Sequence, residues 1–468
     1  MSPYPKLVIA AFLLALASLT LPVAADEPPA AEPAQEEIRR LLPELAHDDP
    51  KNRALAIQLL WDTMGDVLIG MTRDPEDNVA LTATRVLLET HNDKAEAAIR
   101  AALSSPDRSA SFKAQVISTV SDRNDTRFIP ETGALLSESN ASLRRTVLLA
   151  LQALGTPECL PFFMAATTDG DLQVSTTAVA GLARLGNPAA LPRVALLLDS
   201  DEERLVTASA SAIPALGGTE KYAERLAGLL DSGSEPITRS LLVSLQNHPS
   251  PGAVTILAKA ATSGNPAIRT LVARALESNS AEGAEELLLG LLKDGDERVR
   301  SAAVQTLADR GAAEHLEDLV ALAVDQSARV RAAVAIALGT TGSEKGLPTL
   351  KKLLADRDLS VKIATVTATG RIGGDGALPL LKSAAADPDP YMRMEAIRGL
   401  AAQNTAAATE IIRERAGDQD MSVRITAITE LGRLRDRGSE ALLKAARSDD
   451  AEAVRNAART ALAMLNDG

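Results

Sequence analysis

The chain has 468 residues, enough for two to four ordinary domains. Hydrophobic residues make up 46% of it but aromatics only 2%, which calls for small side chains between closely spaced helices. A formal net charge of −13 argues against a general nucleic-acid role.

The first segment predicts export. Lys6 supplies a positive region, Leu7 to Leu21 an apolar core, and Val23-Ala24-Ala25 the small residues at which a signal peptidase cuts. Residues 1–25 are therefore expected to be a secretory signal peptide, with the mature chain starting at Asp26. The apolar run is short for a membrane span, and no Cys lies near the cut to carry a lipid. Residues 26–37, rich in Pro and acid, are expected to form a flexible tether. No later run is long enough to cross a bilayer, so the mature protein is expected in the periplasm or outside the cell, with no transmembrane span.

From residue 38 to 468 a single repeat array is expected. Its frame is plain in DERVRSAAVQTLADRG, Asp296 to Gly311, and in QSARVRAAVAIALGTTG, Gln326 to Gly342. These place Arg300 and Arg331 31 residues apart. The same step reaches Lys362, Arg393, Arg424 and Arg455 downstream, and Arg269 and Thr238 upstream. After one extra residue it continues to Val206, Ser175, Arg144 and Lys113, with degenerate copies near Ala80 and Arg53. An apolar residue precedes every one of these twelve anchors, and ten have Leu or Ile seven residues later. A fixed period of this kind marks a solenoid.

Each repeat predicts two helices. Four residues before the anchor stands Ser109, Asn140, Asp171, Ser234, Asn265, Asp296, Ser327, Asp358, Asp389 or Asp420. Such side chains accept the unpaired N–H groups at a helix start, so the second helix begins there. It ends near a Gly eleven residues past the anchor, as at Gly155, Gly186, Gly217, Gly311, Gly342 and Gly373. Segments such as TPECLPFF and NPAALPRVALLL then open the first helix of the next pair with a cap residue and a Pro. A single pair has too little core and must stack on its neighbours.

The DxDxxVRxxAxxxL pattern, closed by Gly, resembles the short form of HEAT repeats, including the phycobilisome-lyase-like subset. The resemblance runs from roughly Asn52 to the C-terminus and implies an all-α fold, a right-handed α-solenoid of stacked helix-turn-helix repeats. It also implies a ladder between repeats. Asp294, Asp325, Asp356, Asp387, Asp418 and Asp449 lie six residues before Arg300, Arg331, Lys362, Arg393, Arg424 and Arg455, and these are its expected members.

Little in the chain speaks for chemistry. The Asp-x-Asp pairs lack the oxygen count and terminal Glu of a calcium loop and read as caps and ladder. His47, His91, His248 and His315 are scattered and form no metal motif. Deoxyhypusine hydroxylase shares the architecture but needs His-Glu dyads, whereas Asp48, Asn92, Pro249 and Leu316 follow the four His. No nucleophile elbow, phosphate loop or dinucleotide fingerprint is present, and neither metal nor cofactor is expected. Cys159, beside Leu160 and Phe162, reads as a buried small hydrophobe.

Positions one, five, eight and nine after the anchor are expected to face away from the core, on the concave side. They are mostly small or polar, and their charges are Arg145, Arg184, Arg239, Arg274, Arg371, Arg398 and Arg433 against Asp122, Glu277 and Asp309. Ile336, Ile363, Met394 and Ile425 add an apolar row in four consecutive repeats. With Arg371, Arg398 and Arg433 they are the expected partner-binding residues. The expected function is an exported, non-enzymatic, monomeric scaffold that holds a protein or peptide there. The alternative is an accessory or lyase-like protein with a small ligand in the same groove.

Overall fold

The computed structural model describes residues 40, 59, 63–90, 92–311 and 314–466, and their regular structure is helical throughout. The expected signal peptide, the tether and the degenerate copy at Arg53 lie outside the described residues. The chain divides between Leu185 and Gly186 into two compact units.

The first unit contains α1 (Asp77–Leu87), α2 (Asp93–Ser104), α3 (Ala110–Asp122), α4 (Ile129–Ala134), α5 (Ala141–Leu154), α6 (Leu160–Ala166) and α7 (Leu172–Leu185). The second begins with α8 (Leu191–Leu196), α9 (Glu203–Ala215), α10 (Thr219–Leu229), α11 (Glu235–Asn247), α12 (Pro251–Ala261), α13 (Pro266–Ala275), α14 (Ala284–Leu291) and α15 (Glu297–Asp309). It continues with α16 (Leu316–Ala321), α17 (Ala328–Thr341), α18 (Leu347–Leu353), α19 (Leu359–Ile372), α20 (Gly374–Ala384) and α21 (Pro390–Gln403). It closes with α22 (Ala406–Arg415), α23 (Met421–Arg433), α24 (Glu440–Ala446) and α25 (Glu452–Asn466). Odd-numbered helices are the second helices of the repeats. Within each unit they pack side by side in chain order, with the even-numbered helices against them. Each unit is thus a stack of helix pairs.

The ends of the helices follow the sequence closely. Nine of the ten expected caps accept a backbone N–H from the first turn of their helix. Ser327 is the exception: its hydroxyl reaches Glu297 Oε2 at 2.5 Å, across to the preceding second helix. The six expected glycines all take positive φ. Where a repeat lacks Gly at that position, Asn124, Asn404 and Arg435 adopt the same left-handed conformation. Asn does so at modest cost, Arg at more.

The anchors are fork-shaped rungs. Arg331 Nε and Nη2 donate to the carboxylate of Asp356, 25 residues downstream, at 2.6 and 2.8 Å. Its Nη1 donates to the main-chain carbonyl of Asp325, its own repeat's acid, at 2.7 Å. The same pattern joins Arg144 to Asp169, Arg269 to Asp294, Arg300 to Asp325, Arg393 to Asp418 and Arg424 to Asp449. Lys362 reaches Asp387 with a single bond of 2.8 Å, and Lys113 takes Glu138 instead of an Asp. The expected pairing with the acid six residues upstream is therefore corrected. That acid offers only its carbonyl, because its carboxylate is already bound by the previous rung and by the N–H two residues on, as Asp325 is by Arg300 and Ser327. Among the described residues Arg455 makes main-chain contacts alone, to Asp449 and Asp450.

The bidentate guanidinium holds the carboxyls of Asp169, Asp294, Asp356 and Asp449 below their ordinary value. For Asp325 and Asp418 burial is the largest influence and pushes up. The hydrogen bonds from Arg300 and Arg393, the backbone N–H of Ser327 and Asp420 and the nearby guanidinium charges together outweigh it and leave both carboxyls lowered. Three consecutive anchors, Ser175, Val206 and Thr238, carry no charge and make no rung.

Candidate protein-interaction surface

In the second unit, α17, α19, α21, α23 and α25 pack in sequence, and glycine sets how closely. A Cβ on Gly370 would lie 2.7 Å from Gly399 Cα, one on Gly339 2.7 Å from Ala368 Cα, and one on Gly432 2.7 Å from Ala461 Cα. Each of these glycines stands eight residues after its anchor. That position was expected to face away from the core, and here it does not. Gly339, Gly370, Ala401 and Gly432 are buried, Gly339, Gly370 and Gly432 against the next second helix. The backbones approach too closely to leave the eighth position open.

Positions one, five and nine remain on the open side. Ile336 is 37% exposed. Ile363, Met394 and Ile425 are half-buried and pack on the core formed by Leu381, Met392, Ile397, Ile428 and their neighbours. The apolar row therefore belongs partly to the core. Arg371, Arg398 and Arg433 are exposed at the rim. Arg398 bonds Glu395, and Arg433 meets Glu430 at 3.3 Å, so both carry a carboxylate beside them. Arg371 makes no ion pair among the described residues. The ladder members stand apart from this surface, with Arg300, Arg331 and Arg393 buried.

Two cavities open at turns. One of about 440 Å³ lies beside the turns that follow α9 and α11, lined by Pro214, Glu220, His248, Pro249 and Ser250 among others. Pro249 occupies the position where other repeats place a left-handed Gly or Asn, and α11 instead ends at His248 with φ −131°. The second, about 590 Å³, lies between the α22 and α24 ends and is walled by the Arg424–Asp449 rung.

Among the described residues no three His, Cys, Asp or Glu side chains gather as a metal site. His315 lies 3.1 Å from Glu285 and 3.4 Å from Asp318, while His47 and His91 fall outside the described residues. Cys159 is buried and unbridged, and burial pushes its thiol up. No described helix is long and apolar enough to cross a membrane.

Sequence reasoning missed two things here: the burial of the eighth position and an exposed apolar edge at the starts of the second helices. The signal for the first was Gly recurring at Gly339, Gly370 and Gly432; for the second, Leu359, Tyr391 and Met421 beside the caps.

The comparisons with known proteins agree with this geometry. HEAT repeats match residues 129–217, 222–308, 253–338, 316–391 and 378–463, together well over half of the chain. Among solved structures, Kap121p superposes with TM-score 0.55 at 14% identity, over 93% of this chain and 57% of that one. Kap121p bound to Ste12p gives 0.57 at 13% identity, over 94% and 57%. This chain thus spans little more than half of those structures, and at such identity the likeness is one of fold. Human deoxyhypusine hydroxylase in complex with glycerol matches at a TM-score of only 0.26, with 20% identity over 53% of this chain and 98% of that one. No curated protein matches the chain. Matched repeats over most of its length and stacked, laddered helix pairs make it a member of the HEAT-repeat family.

Proposed function

We propose that this protein is an exported, non-enzymatic scaffold that holds a segment of another protein on the open side of its late second helices. The observation that carries the reading is the surface of α17 to α23. There Ile336 stands exposed on α17, and Arg371, Arg398 and Arg433 stand exposed on the three second helices that follow, in a stack held by close backbone contact. A rigid face with partly exposed apolar residues and arginines at its rim, of which Arg371 makes no ion pair among the described residues, suits a protein segment. Kap121p, of the same fold, has been crystallised bound to Ste12p and to Nup53p, which supports protein binding as a use of such an array. Export rests on Lys6, the Leu7–Leu21 run and the Val23–Ala25 site.

A photo-cross-linking residue in place of Ile336, in the native host, tests the scaffold reading. The expected result is one dominant cross-linked protein from the exported fraction, lost in Arg371→Glu. A chain that cross-links nothing, or that purifies with a chromophore absorbing above the protein band, would overturn it. N-terminal sequencing should give Asp26, and an intact Met1 on the mature protein would remove export.

A further inference from the structure

Four apolar side chains stand in water along one edge of the second unit. Val324 lies just before α17 and is 87% exposed. Leu359 opens α19 at 39%, Tyr391 is the second residue of α21 at 64%, and Met421 opens α23 at 46%. This is the edge at which even-numbered helices end and odd-numbered helices begin. Leu359 and Met421 stand one helical turn before Ile363 and Ile425, so the strip continues the open face outward, where it is better exposed.

The charges at this edge are sorted by sign. Asp356 and Asp387 are bound by Arg331 and Lys362, and Asp358 and Asp389 cap α19 and α21. Their carboxylates are occupied. Arg329, Lys351, Lys352, Arg357 and Lys382 are exposed beside them, the lysines in the last turns of α18 and α20. Glu414, beside Arg415, is the exposed carboxylate at the α23 end.

We propose that this edge seats an amphipathic α-helix of a partner protein, apolar on one side and acidic along its flanks, laid across the first turns of α19, α21 and α23. It rests on the scaffold reading above and specifies the partner. Spacing selects a helix over an extended strand. Packed neighbours stand about 8–10 Å apart. A helix rises about 1.5 Å per residue, so roughly five to seven residues, about two turns at the wider spacing, separate successive contacts. An apolar residue at every seventh position then faces Leu359, Tyr391 and Met421 in turn. An extended chain rises about 3.3 Å, so about two to three residues fit each spacing, and at the wider spacing its side chains meet successive contacts from opposite faces. The lysines on α18 and α20 select acid on the flanks.

The test uses the full chain and three labelled helical peptides of about 16 residues, long enough to cross all three turns. The first has Leu at every seventh position with Glu flanks. The second has the same composition with Leu every fifth position, and the third has Lys flanks. In fluorescence anisotropy the first should bind at least tenfold more tightly than either control. Tyr391→Ser and Lys382→Glu, both at exposed sites, should each weaken it at least fivefold, with the circular dichroism spectrum and melting unchanged. Equal binding of the three peptides, or no effect of Tyr391→Ser, would overturn the proposal. So would Tyr391-dependent sedimentation with phosphatidylglycerol vesicles without peptide discrimination, or a dimer in light scattering that Tyr391→Ser converts to monomer. If Ile336 still cross-links a partner while the first peptide fails, the helix is wrong and the scaffold reading stands; if neither occurs, both fall.

Discussion

Within the second unit, the repeats from α13 to α25 carry a rung between every adjacent pair of second helices, whereas α9 and α11 carry none. Val206 and Thr238 stand where the arginines would be. Yet α9, α11 and α13 pack side by side as the later helices do, on Leu205, Ile213, Leu241, Leu245 and Val272. Light polar links cross between α9 and α11, from Ser244 to the Ser211 carbonyl at 2.6 Å and from Ser234, the α11 cap, to Glu203 at 2.5 Å. The charges of this region sit in exposed pairs, Arg225 with Asp199 and Lys259 with Asp231. Apolar burial therefore suffices to stack the repeats. The rungs fix where each helix pair sits on the next, and the stretch without them is the one expected to open first.

The strongest way to break this contrast is Arg393→Ala. Both Arg393 and the Asp418 side chain are almost wholly buried, so removing the guanidinium strands a carboxylate. The expected cost is about 3–5 kcal/mol. Hydrogen exchange should rise in α21 and α23 while α9 and α11 keep their rates, and a uniform rise along the array would contradict it.

Next is Gly370→Ala. The new methyl would meet Gly399 Cα at 2.7 Å, backbone that has no side chain to move aside. About 1–3 kcal/mol should be lost, read as a lower urea midpoint. Gly264→Ala, where the space is open, serves as the control.

Acid should sharpen the contrast without mutation. The folded carboxyls of Asp294, Asp356 and Asp449 lie below the unfolded value of about 3.9. Their contribution is thus complete above that pH and is lost as pH falls through the depressed folded values. Exchange measured below about pH 4 should quicken preferentially in α13 to α25. If α9 and α11 gain as much as the laddered helices, the rungs are not what acid attacks.

The smallest effect is expected from building a rung. Asp231 lies 25 residues after Val206, one place off the ladder register because Thr238 follows Val206 by 32, and it is held by Lys259, so Val206→Arg with Lys259→Ala supplies the missing half. The gain should be no more than about 1 kcal/mol, because burying the pair costs nearly what it returns. Slower exchange in α9 and α11 would be the sign of success.

The period, caps and left-handed closures were legible because each is a local rule: a side chain satisfying its own backbone a few residues away. The partner of each rung was not. Arg331 is six residues from Asp325 and 25 from Asp356, and only the stacked geometry decides that it takes one's carbonyl and the other's carboxylate. The open face was half legible. Angular spacing alone separates core from solvent on one helix, but Gly370 and Gly432 bring the neighbouring helix so near that it covers a third side. The division at Leu185 had no counterpart in the pattern, which runs through it without a break.

Every rung asks the same of its successor: a carboxylate 25 residues on, and nothing specific to that repeat. The repeats are therefore interchangeable parts. Excision of residues 301–331 would join Arg300 to Ala332, fuse the start of α15 to the body of α17, and bring Asp356 to the 25th place after Arg300. The shortened chain would close the same fork with the same distances. A protein built this way can change its length by whole repeats, through duplication or loss, without redesigning a single contact.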